Sequence, residues 1–130
     1  MALIVIDAGV VIGFLDRTDA HHKAAVAHLS ERRDDELVLP TSAFAETLVR
    51  PYQLGAAAVA AVDAFVRDLA IRLEPPTPTI AQRAAALRAR HRALTLPDAL
   101  VLATGDILDA TAVLTTDSAW RRFSRRARAI

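Results

Sequence analysis

Four acidic residues occupy positions from which they could act on a common ligand. Asp7 follows the apolar run Leu3-Ile4-Val5-Ile6, and Asp117 closely follows Ala112-Val113-Leu114-Thr115. Glu46 lies on a helical stretch after Leu37-Val38-Leu39-Pro40, and Asp98 stands behind Pro97 at a helix start. Short, unbroken apolar runs are the pattern of strands covered on both faces, as in parallel sheets. Ligands of open α/β sheets bind beyond the carboxyl ends of the strands, so neighbouring first and last strands would bring Asp7 and Asp117 together there. Unpaired carboxylates crowded into a partly buried cleft repel one another. A hard divalent cation removes that repulsion, and Mg²⁺ or Mn²⁺ takes oxygen ligands while retaining several waters. The spacing therefore points to a Mg²⁺ (or Mn²⁺) site formed by Asp7, Glu46, Asp98 and Asp117, suited to activating water and neutralising developing charge. Each acid alone has a plainer role as turn, cap, dipole partner or exposed helix residue. Four such coincidences at one end of one sheet weigh against that reading.

The elements that must position these acids follow from periodicity. Strands are expected at Leu3–Ile6, Leu37–Leu39, Ile71–Leu73 and Ala112–Thr115, with a weak edge strand from Arg126 to Ile130. Helices are expected from Val10 to Leu15, from Ala20 to Arg32 with Asp19 as cap, and from Thr41 or Ser42 to Arg50, stopped before Pro51. Further helices are expected over Gly55–Leu69, Thr79–Arg92 and Pro97–Leu108, where Pro97 suits a first turn. This alternation predicts a three-layer α/β/α sandwich around a mainly parallel sheet, with all 130 residues in one domain. The Pro75-Pro76-Thr77-Pro78 connector is too short for a domain linker.

Composition excludes several classes. Cysteine is absent, so neither disulfides nor thiolate metal sites are available. The apolar start before Asp7 is too short for a signal peptide or membrane span, which points to a cytoplasmic protein with no membrane partner. Five arginines among the last ten residues, Arg121, Arg122, Arg125, Arg126 and Arg128, taken from a net charge of +1, leave the rest near −4. Guanidinium groups pair well with phosphate, so a polyanion could be held at this tail. His21, His22, His28 and His91 lack the HExxH spacing, and no G-x-S-x-G, G-x-G-x-x-G or Walker motif occurs. A receiver-like phosphoacceptor would want a lysine after a late strand, and the sole lysine is Lys23.

Four segments appear in the order and approximate spacing of the PIN domain: Ile4-Val5-Ile6-Asp7-Ala8, Pro40-Thr41-Ser42-Ala43-Phe44-Ala45-Glu46, Leu96-Pro97-Asp98-Ala99-Leu100 and Leu114-Thr115-Thr116-Asp117-Ser118-Ala119-Trp120. In size and layout the chain resembles the VapC-type toxins of bacterial toxin–antitoxin pairs. The resemblance implies an Mg/Mn-dependent endoribonuclease that hydrolyses RNA, with tRNA or rRNA loops as targets, to leave 5′-phosphate and 3′-hydroxyl ends. Asp7, Asp98 and Asp117 would then be metal ligands, with Glu46 a ligand or the group that orients water. Thr115 matches the hydroxyl residue two before the last acid.

The same resemblance implies a cognate VapB-type antitoxin, whose arginine often enters the acidic pocket, and a homodimer. The alanine-rich stretch Gly55–Leu69 could line either interface. The chain has six aromatic residues and no stacking platform, so target choice would rest on RNA shape and on phosphate contacts from Arg50, Arg92, Arg121 and Arg122. One departure stands out. The family often has Ser, Thr or Asn two positions after the first Asp, where this chain has Gly9. A hydrogen bond to the carboxylate is then missing or supplied elsewhere, with Ser42 and Thr116 as candidates; helix capping is the alternative for Ser42. Gly9 also leaves open a catalytically weak or inactive RNA-binding scaffold.

Overall fold

The apolar runs form the sheet. In the computed structural model, which describes all 130 residues, five strands lie in the order β3-β2-β1-β4-β5, each parallel to its neighbours. They are β1 (Leu3–Ile6), β2 (Glu36–Pro40), β3 (Arg72–Glu74), β4 (Ala112–Thr115) and β5 (Ala127–Ala129). The central strands carry no alternation because both faces are covered: Ile4, Val5, Ile6, Val113 and Leu114 are all buried.

Helix pairs connect the strands. α1 (Ala8–Leu15) and α2 (His22–Ser30) join β1 to β2, α3 (Thr41–Leu54) and α4 (Ala56–Asp68) join β2 to β3, and α5 (Pro78–Arg90) and α6 (Leu96–Ile107) join β3 to β4. A 3₁₀ turn over Ser118–Arg122 leads from β4 to β5. The right-handed crossovers of parallel units put α1 to α4 on one face and α5 and α6 on the other, giving the three-layer α/β/α arrangement.

Several element boundaries depart from the sequence expectation, each for a local reason. α1 begins at Ala8 because Asp7 accepts from the Ala8 N–H and caps it. Asp19 does not cap α2; it accepts from His21 N in the preceding turn, and the helix starts at His22. Neither Thr41 nor Ser42 caps α3, since the helix starts directly from the strand and Pro40 holds the cap position. α3 also runs past Pro51 to Leu54. A proline removes only one backbone bond, and the helix continues past it through its exposed last turn, where Gly55 N still donates to the Pro51 carbonyl at 2.9 Å.

Gly105 sets how closely α6 approaches β4. A Cβ at this position would lie 2.5 Å from Val113 Cγ2, and Val113 is buried and stiff about χ1. Gly105→Ala should therefore lower stability despite the better helix propensity of alanine. We expect a net loss of about 1 kcal/mol or more in urea unfolding, within the usual range for overpacking. An unchanged or higher midpoint would show that the two elements have room to spare.

Candidate metal centre

The strand order reverses between β1 and β4, and at such a switch point the loops on the two sides diverge and leave a crevice. Ile6 pairs with Leu114 in register, and Asp7 N donates to Leu114 O at 3.0 Å, so Asp7 emerges opposite Thr115. The fully buried Thr115 uses its hydroxyl twice. It donates to Asp7 Oδ2 at 3.2 Å and accepts from Asp117 N at 3.0 Å. One side chain thus fixes both acids.

The plain capping roles are also present. Asp7 Oδ1 accepts from Ala8 N at 2.7 Å, and Asp117 Oδ1 accepts from Ala119 N at 2.9 Å. These bonds orient the carboxylates and leave lone pairs free, because each carboxylate oxygen accepts more than one bond. Asp98 is the third residue of α6, and its N–H donates to the Oγ1 of Thr95, the helix cap, at 3.4 Å. Glu46 is exposed on α3, and α3 and α6 meet across the end of the sheet.

Electrostatics ties the acids together. Burial, reinforced by repulsion from Asp98 and Glu46, pushes the Asp7 carboxyl up to about 7, against the opposing Ala8 N–H and Thr115 hydroxyl. Glu46 is raised by burial and by Asp98. Asp98 is raised by burial and by Asp117, while the Thr95 hydroxyl and the Trp120 indole favour its ionised form. Asp98 therefore feels or is felt by each of the other three.

No arginine relieves this charge, since the arginine ion pairs all involve other acids. No three His, Asp or Glu side chains converge tightly enough to coordinate one ion directly. A divalent cation that keeps several of its waters needs only one or two carboxylates directly.

Arg50 lies one turn beyond Glu46 on α3, Arg92 lies in the α5–α6 loop, and Arg121 and Arg122 follow Asp117 in the 3₁₀ turn. All four are exposed. The His91 and Phe123 rings pack at 5.1 Å and hold that loop against the segment after the turn. The basic tail is divided: Arg126 pairs with Asp106 and Asp109 around the C-terminal end of α6, remote along the helix from Asp98. Ser42 sits half-buried in the first turn of α3. His22 is engaged by the Gly13 carbonyl at 2.8 Å.

Two contributors escaped the sequence reading. Thr95 had a signal, because Thr95-Leu96-Pro97-Asp98 has the spacing of a capping box. Trp120, the only tryptophan and nearly fully buried, had none, because its approach to Asp98 depends on the path of the turn.

The PIN domain family model matches residues 4–126. The chain belongs to the PIN domain family. No curated protein matches it in sequence. Among solved structures, this PIN domain is similar to VapC20 of Mycobacterium tuberculosis, described as a sarcin-ricin loop cleaving toxin, with TM-score 0.77, 19% identity and coverage of 92% of this chain and 93% of that one. It is similar to VapBC2 of Rickettsia felis, solved bound to a promoter DNA fragment, with TM-score 0.82, 9% identity and 98% coverage of both chains. It also resembles a toxin–antitoxin complex from Klebsiella pneumoniae, with TM-score 0.74, 18% identity and coverage of 97% and 96%.

The raised Asp7 carboxyl has a measurable consequence for the metal-free PIN domain. Below about pH 4 folded and unfolded chains both hold the proton. Between the ordinary value of 3.8 and about 7, the unfolded chain ionises while folded Asp7 stays protonated. Stability should thus fall as pH rises through this window, by on the order of 4 kcal/mol, and the loss is complete above about pH 7. Asp7→Asn should be more stable than the parent at pH 8 and no more stable at pH 4, measured by urea unfolding in chelator. Parallel curves for the two proteins would contradict the assignment to Asp7.

Proposed function

We propose that this PIN domain is a divalent-cation-dependent endoribonuclease, acting as the toxin of a toxin–antitoxin pair. The observation that carries the reading is the set of mutually repelling acids at the β1/β4 switch point, unpaired by any arginine and anchored by one buried hydroxyl. Asp7, Asp98 and Asp117 would hold Mg²⁺ or Mn²⁺, with Glu46 as a further ligand or as the group that orients water. When bound, the ion supplies charge neutralisation and water activation for attack on a phosphodiester. Water adds to phosphorus and the P–O3′ bond breaks, leaving a 5′-phosphate and a 3′-hydroxyl that takes up a proton. The raised affinity of Glu46 for protons, at the open side of the pocket, suits it to accept one from the attacking water.

Arg50, Arg92, Arg121 and Arg122 are exposed and would hold the RNA backbone. Backbone contact without a stacking platform favours substrates defined by shape, namely loops of tRNA or rRNA. Val49, Tyr52 and Leu54 are exposed on α3, beside a groove of about 470 Å³ lined by Ile12, Leu15, Leu54 and Ala58. A surface of this kind supports coverage by a partner chain, a VapB-type antitoxin or a second copy in a homodimer. No helix is long and apolar enough to cross a membrane. Gly9 favours a second reading, a catalytically weak or inactive RNA-binding scaffold.

Purified protein incubated with total RNA separates the two. Cleavage with Mn²⁺ or Mg²⁺, abolished by EDTA, is expected, with 5′-phosphate ends identified by ligation-based sequencing. Asp7→Ala and Asp98→Ala should each reduce the rate at least about 100-fold, the upper end of the loss seen when even an outer partner of a metal ligand is removed. RNA binding without nicks would leave the scaffold reading standing, and cleavage that survives EDTA would reject the metal route.

A further inference from the structure

Arginines from two distant segments converge at a second place, on the β5 side of the sheet. Arg83 of α5, Arg125 and Arg126 ahead of β5, and the hydroxyl residues Thr111 and Ser124 line a cavity of about 460 Å³ that also contains Asp106. A structural clamp accounts for part of the cluster. Arg83 Nε donates to Asp106 Oδ2 at 2.9 Å, and Arg126 Nε reaches Asp106 Oδ1 at 3.4 Å. Arg126 also donates to Asp109 Oδ1 at 2.8 Å and to the Ala110 carbonyl. These contacts tie α5, the end of α6 and the approach to β5 together, yet they leave positive charge over. Asp106 alone serves two guanidinium groups, and Asp109 is 89% exposed, where solvent weakens its pair. Arg125 is exposed and enters no ion pair. The cavity wall thus carries three arginines against one acid.

Hydroxyl groups add to the donors. Ser124 Oγ accepts from Arg126 N at 3.1 Å, which leaves its own proton to donate, and Thr111 is exposed beside it. Guanidinium forks with nearby hydroxyls are the chemistry that recognises phosphate. A peptide partner is a poorer match, because Phe123 is the only apolar residue in the wall and offers little to bury. Exposure of Arg83, Thr111 and Arg125 makes the cavity an open trough, which suits a phosphate within a chain better than an enclosed small ion. The trough is also continuous with the segment that begins at Asp117, since the 3₁₀ turn leads through Phe123 and Ser124 into it. Along α6, Asp106 stands about 12 Å beyond Asp98 at 1.5 Å per residue. A nucleic-acid backbone covers that span in a few nucleotides.

We propose that this trough is a second contact for the RNA backbone, in which Arg125 and Arg83, with the Thr111 and Ser124 hydroxyls, hold a phosphate remote from the acids. The inference rests on the reading of this PIN domain as a protein that acts on RNA, and its test reads RNA binding apart from cleavage.

Binding of fluorescently labelled bulk tRNA is followed by anisotropy in EDTA over a series of KCl concentrations. Arg125→Ala should weaken binding about 3-fold and make the slope of log affinity against log salt shallower by about 0.7 to 0.9, the value of one phosphate contact, whereas Arg125→Lys should keep the slope. Thr111→Glu leaves every arginine in place and sets a carboxylate in the trough; it should weaken binding by at least about 3-fold. Arg67→Ala removes the same charge from α4, on the other face of the sheet, and should leave the slope unchanged. Urea midpoints confirm that each variant is folded. A parent that does not bind tRNA, a parent-like slope in Arg125→Ala, parent-like binding by Thr111→Glu, or a slope altered equally by Arg67→Ala would each overturn the proposal. So would an Arg125→Ala variant that holds tRNA as the parent does but loses affinity for poly-glutamate or inorganic phosphate, which would assign the trough to an acidic peptide or a free anion. Mn²⁺-dependent nicking by a parent whose Arg125→Ala variant binds tRNA normally removes this inference alone. Arg125-dependent tRNA binding without nicks removes the nuclease reading alone.

Discussion

Negative charge concentrated where the strand order reverses is the constraint on which this molecule turns. Asp7 emerges from the central strand into a partly buried position, and the carboxylates of Asp98 and Glu46 add to the cost of ionising it there. Packing alone would expel such a group. It is kept in place by Thr115, whose buried hydroxyl donates to Asp7 and accepts from the Asp117 backbone. Removing water from around a carboxylate is costly unless bonds or an opposite charge compensate. The bonds present offset only part of that cost, since Asp7 still holds its proton to about 7. What is missing is positive charge, and the fold supplies no side chain to provide it.

Helix geometry lessens the repulsion in a way that favours three of the four acids. Asp7 caps α1, Asp117 caps the 3₁₀ turn, and Asp98 lies in the first turn of α6. Each therefore faces unpaired backbone N–H groups, and for α1 and α6 the positive end of a helix dipole as well, an arrangement that favours negative charge there. Glu46 lies further along α3 and has no such support. Burial and the nearby Asp98 raise its carboxyl without any such compensation.

The sequence made the sheet legible because its strands are dry on both faces. Ile4 to Ile6 and Val113 to Leu114 announce themselves as unbroken apolar runs, and the placement of an acid directly or shortly after each run locates the crevice. The helix ends were harder to read. Asp19 has the chemistry of a cap and spends it on a tight turn, while α3 starts from Pro40, which has no capping oxygen at all. Pro51 removes only one hydrogen bond, so the helix continues past the expected stop to Leu54. Trp120 and the packing of Gly9 against Thr116 were invisible for another reason. Both depend on how two segments distant in the chain approach in space, and local pattern carries no record of an interatomic distance.

The direction of α3 links the two properties proposed for this protein. Its early turns carry Glu46 toward the acids, and its last turns carry Val49, Tyr52 and Leu54 exposed. From Glu46 to Leu54 the helix rises only about 12 Å. A chain that buries the apolar end of α3 is thus within reach of the carboxylates at the other, and a cationic side chain extended along the helix would arrive at a pocket that lacks a cation of its own. Ion and side chain would compete for the same uncompensated charge, so a partner could silence the site without distorting it. Inhibition of this type would need no conformational change in the PIN domain, only a rival source of positive charge delivered along one helix.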